Sequence, residues 1–253
     1  MNREEASPEG RPVAVVTGAA KGIGRAIAER LGSDGWALVL WDVLGEGAAV
    51  AARLREQDIP ARFEQVDVSD EEAILAAISS WPVGWRKVRG LVNNAGIFPR
   101  SEALSMSSAV WNRVLAVNLT GAFLCSRALA PLILAQGQGA IVNLASGRAY
   151  AGAKLGCAYA ASKAGILGLT RSLALEWAPA IRVNCVVPGV TDTDQPREAG
   201  IDDATLYARG ASIPLGRIGR PDDVAKGVAF LLGPDAEYIT GQALFINGGA
   251  LMG

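Results

Sequence analysis

The stretch VAVVTGAAKGIGRAIAERL, residues 13–31, joins a run of β-branched residues to an amphipathic helical pattern through a glycine-rich turn. Its glycines allow the backbone to pass close to a ligand. A helix that begins near Gly22 directs its free N–H groups and the positive end of its dipole at the same place. The turn therefore indicates a cradle for a pyrophosphate, with Gly18, Lys21, Gly22, Ile23 and Gly24 as candidate residues.

The same strand, turn and helix order continues along the chain. Seven β-rich runs begin near Val13, Ala37, Arg62, Gly90, Ala140, Ile181 and Ala243, with helical patterns between the early ones. Such alternation predicts an α/β fold, a single Rossmann-type doubly wound domain with a parallel sheet of about seven strands and helices on both faces. We expect residues 1–11 to form a flexible tail and residues 12–253 to form the domain.

Composition narrows the classes of partner and site. The 24 basic and 25 acidic residues give no field of one sign, so we expect a small-molecule partner, no nucleic acid and no membrane. Histidine is absent, which excludes a His-based triad and most zinc sites, and we expect no metal. Three scattered cysteines and a polar start predict a cytoplasmic protein.

Glycine-rich or polar sequence follows three of the β-rich runs, in TGAAKGIG, NNAG and PGVTDTD. Open α/β sheets bind ligands at the carboxyl ends of their strands. The segment 194–214 follows the third of these ends and has charges, glycines and no clear period, which predicts a mobile substrate flap. An ordinary surface loop with a short helix is the alternative.

Asp42 ends the second β-rich run, 18 residues after Gly24. A carboxylate at this distance hydrogen-bonds the adenosine ribose hydroxyls of NAD and repels the 2′-phosphate of NADP. Lys21 favours the opposite choice, because a cation in the turn would attract that phosphate. We prefer NAD, with NADP as the alternative, since no Arg or Lys follows in WDVLGEG. Asp42 could instead be a turn residue.

Tyr159 and Lys163 are four positions apart in CAYAASKAGI, residues 157–166. On a helix the two side chains share one face and can act on one object. Taken alone, such a pair is more often two surface neighbours.

The chain from about Val13 to Gly249 resembles the short-chain dehydrogenase/reductase family of the classical type. The resemblance rests on TGAAKGIG, NNAG, Asn118 in AVNLTGAF, Ser146, the Tyr159-x-x-x-Lys163 pair and the PG at Pro188, all in the family's order. Ser146 precedes Tyr159 by 13 residues, as the family pattern requires. The chain is similar to 3-oxoacyl-carrier-protein reductases and to sugar and alcohol dehydrogenases.

The resemblance implies a catalytic tetrad of Asn118, Ser146, Tyr159 and Lys163. Tyr159 would exchange the hydroxyl proton, with its phenolate favoured by Lys163 and the nicotinamide ring. Ser146 would hydrogen-bond the substrate oxygen, Lys163 would hold the nicotinamide ribose, and Asn118 would order a water. Singly, Ser146 could be a turn residue and Asn118 a helix cap.

Further cofactor contacts are implied by the resemblance. Asp67 and Val68 would flank the adenine, and Asp67 could equally cap the helix starting near Ser69. The remaining contacts would be Asn94, Ala95 and Gly96 on the adenosine side, and Pro188, Gly189, Thr191 and Thr193 near the nicotinamide amide and the phosphates.

The expected function is hydride transfer between a nicotinamide cofactor and a secondary alcohol or ketone, such as a sugar or sugar acid. Arg100, Arg148 and Lys154 near the presumed mouth, with Ser146 and Tyr159, predict a polar or anionic substrate; solvated surface charge is the alternative. An NADP-dependent 3-oxoacyl-carrier-protein reductase and a non-catalytic dinucleotide-binding regulator stay open. The resemblance also implies a homotetramer or homodimer, with helices in 117–135 and 159–178 at the interface.

Overall fold

The computed structural model of the protein describes residues 8, 10–198 and 200–252. Residues 1–7 and 9 of the expected tail, and residue 199 of the expected flap, lie outside this range.

Seven strands form one parallel sheet within the described residues. They are β1 (Val13–Thr17), β2 (Ala37–Asp42), β3 (Ala61–Gln65), β4 (Val88–Asn93), β5 (Gly139–Leu144), β6 (Ile181–Pro188) and β7 (Ala243–Ile246). Their order is β3-β2-β1-β4-β5-β6-β7, so the chain reverses direction across the sheet between β1 and β4. Apart from β3 and β7, the strands are mostly buried apolar runs, which is typical of a sheet covered on both faces. The predicted fold class is confirmed.

Helices cover both faces of this sheet. They are α1 (Gly22–Ser33), α2 (Gly47–Glu56), α3 (Glu71–Ser79), α4 (Ser108–Leu115), α5 (Gly121–Leu134), α6 (Arg148–Ala151), α7 (Cys157–Trp177), α8 (Asp194–Glu198), α9 (Asp203–Ala208) and α10 (Pro221–Leu232). Short 3₁₀ turns occur at Val83–Arg86, Arg209–Ser212 and Pro234–Ala236.

The alternation of side chains along β1 creates the two cores. Ala14 and Val16 pack with apolar residues of α1, α2 and α10 on one face. Val13 and Val15 point to the other face, where they join a cluster from α3, α5 and α7. The sheet is therefore held between two helical layers, and the carboxyl ends of its strands meet at one edge.

Two segments differ from a plain strand and helix pattern. The segment 194–214 contains α8, α9 and a 3₁₀ turn, and thus has more regular structure than an irregular flap. Helices α4 and α5 are continuous through a π-helical turn at Ala116–Thr120. The helical stretch Ser108–Leu134 has the length and apolarity of a membrane span, but this is weak evidence because over half of its most apolar window is buried in the protein.

Candidate active site

The glycine turn between β1 and α1 is closely packed. Gly18 has φ +64° and Gly22 has φ +56°, which are left-handed conformations that favour glycine. A Cβ atom on Gly24 would lie 2.0 Å from the carbonyl oxygen of Gly18. Only a residue without a side chain fits there, so the backbone of the turn passes directly under α1.

The NNAG segment after β4 supports this turn. Asn94 Nδ2 donates to the carbonyl oxygens of Thr17 and Gly18, at 2.9 Å each. The Thr17 hydroxyl accepts from the backbone N–H groups of Asn94 and Ala95, at 3.0 Å each. Thr17 was not among the predicted site residues, although its place at the end of β1, just before Gly18, is a sequence signal for such a role.

The N-terminus of α1 is suited to an anion. Lys21 precedes the helix and makes no side-chain cap, and the first turn contains no acidic residue. The first N–H groups of α1 and the positive end of its dipole are therefore available to a pyrophosphate. The close-packed glycine turn and this uncapped terminus fit a dinucleotide.

Asp42 lies at the carboxyl end of β2, beside the glycine turn. One carboxylate oxygen accepts from the Ala20 N–H at 2.9 Å, and the other accepts from the Leu44 N–H at 3.0 Å. The turn role considered from the sequence is therefore present. The contact with Ala20 also holds the carboxylate next to the cradle, where the ribose interpretation requires it.

Lys21 forms an ion pair with Glu198 of α8. Its hydrogen bond to Glu198 raises the pKa of Lys21, as do the charges of Asp194 and Asp42, although partial burial opposes the rise. Lys21 therefore carries a positive charge that is already compensated by carboxylates of this chain. Glu198 was not predicted, since 177 residues separate the two partners.

Asp67 and Val68 follow β3. Asp67 accepts from the backbone and hydroxyl groups of Ser69, at 2.9 and 2.7 Å, and from Arg113 at 2.9 Å. Burial raises the pKa of Asp67, but these hydrogen bonds and the charge of Arg113 outweigh it, and the net pKa is lowered. Asp70 rather than Asp67 caps α3, so the capping alternative was wrong. Val68 is buried.

Tyr159, Ser146 and Lys163 lie together at the edge of β5. Ser146 lies close enough to Tyr159 for its hydroxyl to influence the pKa of the phenol. Lys163 Nζ lies 5.8 Å from the centroid of the Tyr159 ring and donates to the carbonyl oxygen of Leu144 at 2.7 Å. Ser146 Oγ also accepts from the Arg148 N–H at 3.2 Å, which is the turn role considered from the sequence.

Burial shifts the pKa values of both Tyr159 and Lys163. Burial raises the pKa of Tyr159, while the neighbouring Ser146 hydroxyl and then the charge of Arg148 oppose the rise. Burial also lowers the pKa of Lys163 to about 8. In the protein without its cofactor, burial thus disfavours the phenolate, and the charge of Arg148 opposes this effect.

Asn118 lies in the π-helical turn between α4 and α5. Its side chain accepts from the Ile97 N–H at 2.8 Å and donates to the Ile97 carbonyl at 3.0 Å and to Ser162 Oγ at 3.1 Å. Asn118 is therefore inside a continuous helix and is not a cap. A Cβ atom on Gly96 would lie 3.4 Å from Asn118 Oδ1 and 3.5 Å from Lys163 Nζ, so these residues adjoin.

Ser162 is a further site residue that the sequence interpretation missed. It is fully buried, accepts from Asn118, and donates to the Tyr159 carbonyl at 2.7 Å. Its position three residues after Tyr159 on the same helix is the signal that could have found it.

The end of β6 closes the other side of the site. The Gly147 N–H donates to the Pro188 carbonyl at 3.2 Å, which brings this strand end beside Ser146. A Cβ atom on Gly189 would lie 2.8 Å from Asn247, so the chain is tight there. Thr191 is buried, and the Thr193 methyl group would lie 3.4 Å from a Cβ atom on Gly22. Thr193 therefore reaches the glycine turn.

The three predicted cations of the mouth are exposed. Arg148 is near enough to Tyr159 to influence its pKa. Arg100 and Lys154 belong to two segments that are joined by the Ser101 N–H, which donates to the Leu155 carbonyl at 2.9 Å.

Of the two aromatic residues near the predicted mouth, Phe98 packs on Tyr159 with ring centroids 4.5 Å apart, whereas Tyr150 packs on Phe245. In the described part of the chain, no three His, Cys, Asp or Glu side chains form a group that could hold a metal ion.

Comparisons with known proteins agree with this architecture. A family model described as enoyl-(acyl carrier protein) reductase matches residues 18–250. The cis-4-hydroxycyclohexanecarboxylate dehydrogenase of Sinomonas cyclohexanicum is 39% identical over 239 residues, which are 94% of this chain and 95% of that protein. The 3-oxoacyl-[acyl-carrier-protein] reductase of Aquifex aeolicus is 39% identical over 243 residues, which are 94% of this chain and 96% of that protein.

A crystal structure from Beutenbergia cavernae, provisionally assigned as an NAD(P)-dependent gluconate 5-dehydrogenase with NADP bound at low occupancy, superposes with a TM-score of 0.88. It is 38% identical, and the match covers 95% of this chain and 96% of that one. The family model matches most of the chain, and these proteins are similar to it over nearly their full length. The chain therefore belongs to the short-chain dehydrogenase/reductase family and is an NAD(P)-dependent oxidoreductase.

Proposed function

We propose that this enzyme interconverts a polar secondary alcohol and its ketone, that it prefers NAD, and that Tyr159 is its acid and base. The observation that carries the proposal is that Tyr159 lies beside both Ser146 and buried Lys163, at the sheet edge that also presents the glycine cradle. A phenol and a hydroxyl so placed can hold one substrate oxygen between them.

The tetrad residues have separate proposed roles. In alcohol oxidation Tyr159 Oη takes the hydroxyl proton, and in ketone reduction it returns one. Ser146 hydrogen-bonds the substrate oxygen while its charge changes. Lys163 holds the nicotinamide ribose and places positive charge near Tyr159. Asn118 fixes the segment after β4 at Ile97 and orders a water. The bound dinucleotide supplies the hydride acceptor or donor.

The preference for NAD rests on Asp42. Its carboxylate is held beside the glycine turn by Ala20 and would accept from the adenosine ribose hydroxyls. The same charge opposes a 2′-phosphate. Proposed cofactor contacts on the rest of the cradle are Gly18, Gly22, Ile23, Gly24, Asp67, Val68, Asn94, Ala95, Gly96, Pro188, Gly189, Thr191 and Thr193.

The proposed substrate carries a carboxylate or a similarly polar group. Arg148 begins α6 two residues after Ser146, is exposed, and lies close enough to act on the pKa of Tyr159. Its guanidinium can form a paired hydrogen bond with a carboxylate. Two similar proteins are named for hydroxy carboxylates, cis-4-hydroxycyclohexanecarboxylate and gluconate, which supports this class for our chain. Arg100 and Lys154 would add positive charge at the mouth.

The substrate proposal is tested by turnover assays with sugar acids and hydroxy acids beside neutral sugars and cyclic alcohols, using NAD and NADP separately. Arg148→Ala should raise KM for the carboxylate substrates about tenfold or more, since a charged hydrogen bond is lost, and change KM little for neutral ones. Arg148→Lys, which keeps the charge, is the matched control. Equal effects on both substrate classes would contradict the proposal.

A second candidate is an NADP-dependent 3-oxoacyl-carrier-protein reductase. The Aquifex aeolicus relative, which is named a 3-oxoacyl-[acyl-carrier-protein] reductase, favours it. Selective turnover of a 3-oxoacyl thioester with NADPH would support it over the first proposal. Membership of an enzyme family favours either activity over the non-catalytic regulator. We also propose a cytoplasmic protein and a homotetramer or homodimer, as the family resemblance implies.

A further inference from the structure

The helix α8 of the segment 194–214 lies beside the glycine turn. Glu198 at its end forms the ion pair with Lys21, and Thr193, the residue just before α8, approaches Gly22. Both the residue that leads into α8 and the last residue of α8 thus lie next to the cradle. Neither contact takes part in the proton chemistry at Tyr159.

Arg197 fixes the position of α8. It donates to the Thr193 carbonyl at 2.7 Å, to Asp192 at 2.8 Å and to Asp203 of α9 at 2.7 Å. Tyr207 of α9 also donates to Asp192 at 2.8 Å. These hydrogen bonds tie α8 and α9 together, so the direction in which α8 presents its acidic side chains is set by a network and not by one flexible contact.

Three carboxylates surround the Lys21 ammonium. Glu198 pairs with it directly, and Asp194 and Asp42 are near enough to act on its charge. Asp42 belongs to β2, whereas Asp194 and Glu198 both belong to α8. The Lys21 charge is therefore outnumbered by the carboxylates near it, and Lys21 is the cation that would attract a 2′-phosphate.

We propose that Asp194 and Glu198 are specificity-determining residues that make the segment select against NADP. Glu198 pairs with the Lys21 ammonium, which a 2′-phosphate would need as its partner. The carboxylates of Asp194 and Glu198 also repel that phosphate, in addition to Asp42. The inference rests on the NAD preference of the proposed function and adds a second cause to it. Because Lys21 and Glu198 are about half exposed, solvent screening keeps the effect moderate.

The test measures binding and not turnover. Titration calorimetry gives Kd for NAD, NADP, 5′-AMP and adenosine 2′,5′-bisphosphate with the wild type and with the Asp194→Asn/Glu198→Gln double variant. Asp34→Asn is the matched control, because Asp34 also lies in an exposed ion pair but at the far end of α1, about 18 Å along the helix. Lys21→Ala is measured alone and in the double variant.

We expect the double variant to bind NADP and the bisphosphate about three- to tenfold more tightly, with Kd for NAD and 5′-AMP unchanged. Lys21→Ala should abolish this gain in the double variant and should not by itself tighten NADP binding. Unchanged NADP affinity in the double variant, or the same gain in Asp34→Asn, would overturn the inference. The wild-type ratio of NADP to NAD affinity tests the proposed NAD preference separately.

Discussion

Burial acts in the same sense on the Tyr159 phenol and the Lys163 ammonium, because it disfavours the charged form of each. The pKa of Tyr159 is raised and that of Lys163 is lowered to about 8. Proton removal by Tyr159 therefore becomes easier as pH rises. The neighbouring Ser146 hydroxyl and the charge of Arg148 act against this rise in the pKa of Tyr159.

This balance predicts a pH dependence for alcohol oxidation. The kcat/KM should rise with pH, because the base must be unprotonated, and ketone reduction should show the opposite slope. Removing the Arg148 charge takes away a contribution that lowers the pKa of Tyr159, so in Arg148→Gln the rising limb should move to higher pH. Initial rates with a neutral substrate, measured across the pH range, give the position of this rising limb. Arg148→Lys keeps the charge and should leave the limb in place. A shift to lower pH would contradict this account.

Single residues differ in how far sequence could predict them. The nearness of Tyr159 to Lys163, and of Asp42 to the glycine turn, could be predicted from their spacing within one helix or from one turn, whereas their chemistry stays a prediction. The Lys21–Glu198 ion pair could not be predicted, because tertiary folding alone brings its two partners together. The pKa of Tyr159 likewise depends on burial, which the helix sequence does not specify.

At the scale of elements, the close packing of the turn between β1 and α1 can be tested by a single substitution at Gly24. Gly24→Ala would place a Cβ atom 2.0 Å from the Gly18 carbonyl, so the turn must shift. We expect it to weaken NAD binding at least tenfold and to lower the free energy of unfolding by about 1–3 kcal/mol. Calorimetry and urea unfolding measure the two effects.

Gly45→Ala is the control for this change, since a Cβ atom there would meet nothing within 4 Å. It should leave both quantities nearly unchanged. If Gly24→Ala behaved like Gly45→Ala, the close-packed cradle would be disproved.

The strands were predictable as elements because most are continuous apolar runs, which parallel sheets require. The π-helical turn at Asn118 was not, because its extra residue is accommodated by contacts with Ile97 and Ser162 from distant segments. The short helices α8 and α9 were foreseen only in part, by the alternative of a surface loop with a short helix, since a hydrogen bond from Arg197 of α8 to Asp203 of α9 connects them.

At the scale of the whole molecule, the two long helices expected at a subunit interface present apolar side chains to solvent. Phe123 and Leu134 of α5 and Leu175 of α7 are 36%, 46% and 84% exposed. Apolar surface of this kind is buried in oligomers. Light scattering should therefore give two or four times the 26.2 kDa chain mass.

Replacing Phe123 and Leu134 with Asp should lower that mass by placing charge in the interface. Val83→Asp is the control, because Val83 is 82% exposed in a 3₁₀ turn that belongs to neither helix. A monomeric wild type would contradict the oligomer proposal, as would an equal loss of mass in the control.

The central claim is that this chain transfers hydride with Tyr159 as its acid and base. The most direct measurement follows nicotinamide absorbance during turnover of a substrate found in the panel, for wild type and Tyr159→Phe, with NAD affinity and melting temperature measured on the same samples. We predict that kcat falls by about 10²–10⁴-fold while the melting temperature and Kd for NAD change little. A Tyr159→Phe variant that binds NAD, stays folded and turns over at the wild-type rate would contradict the account.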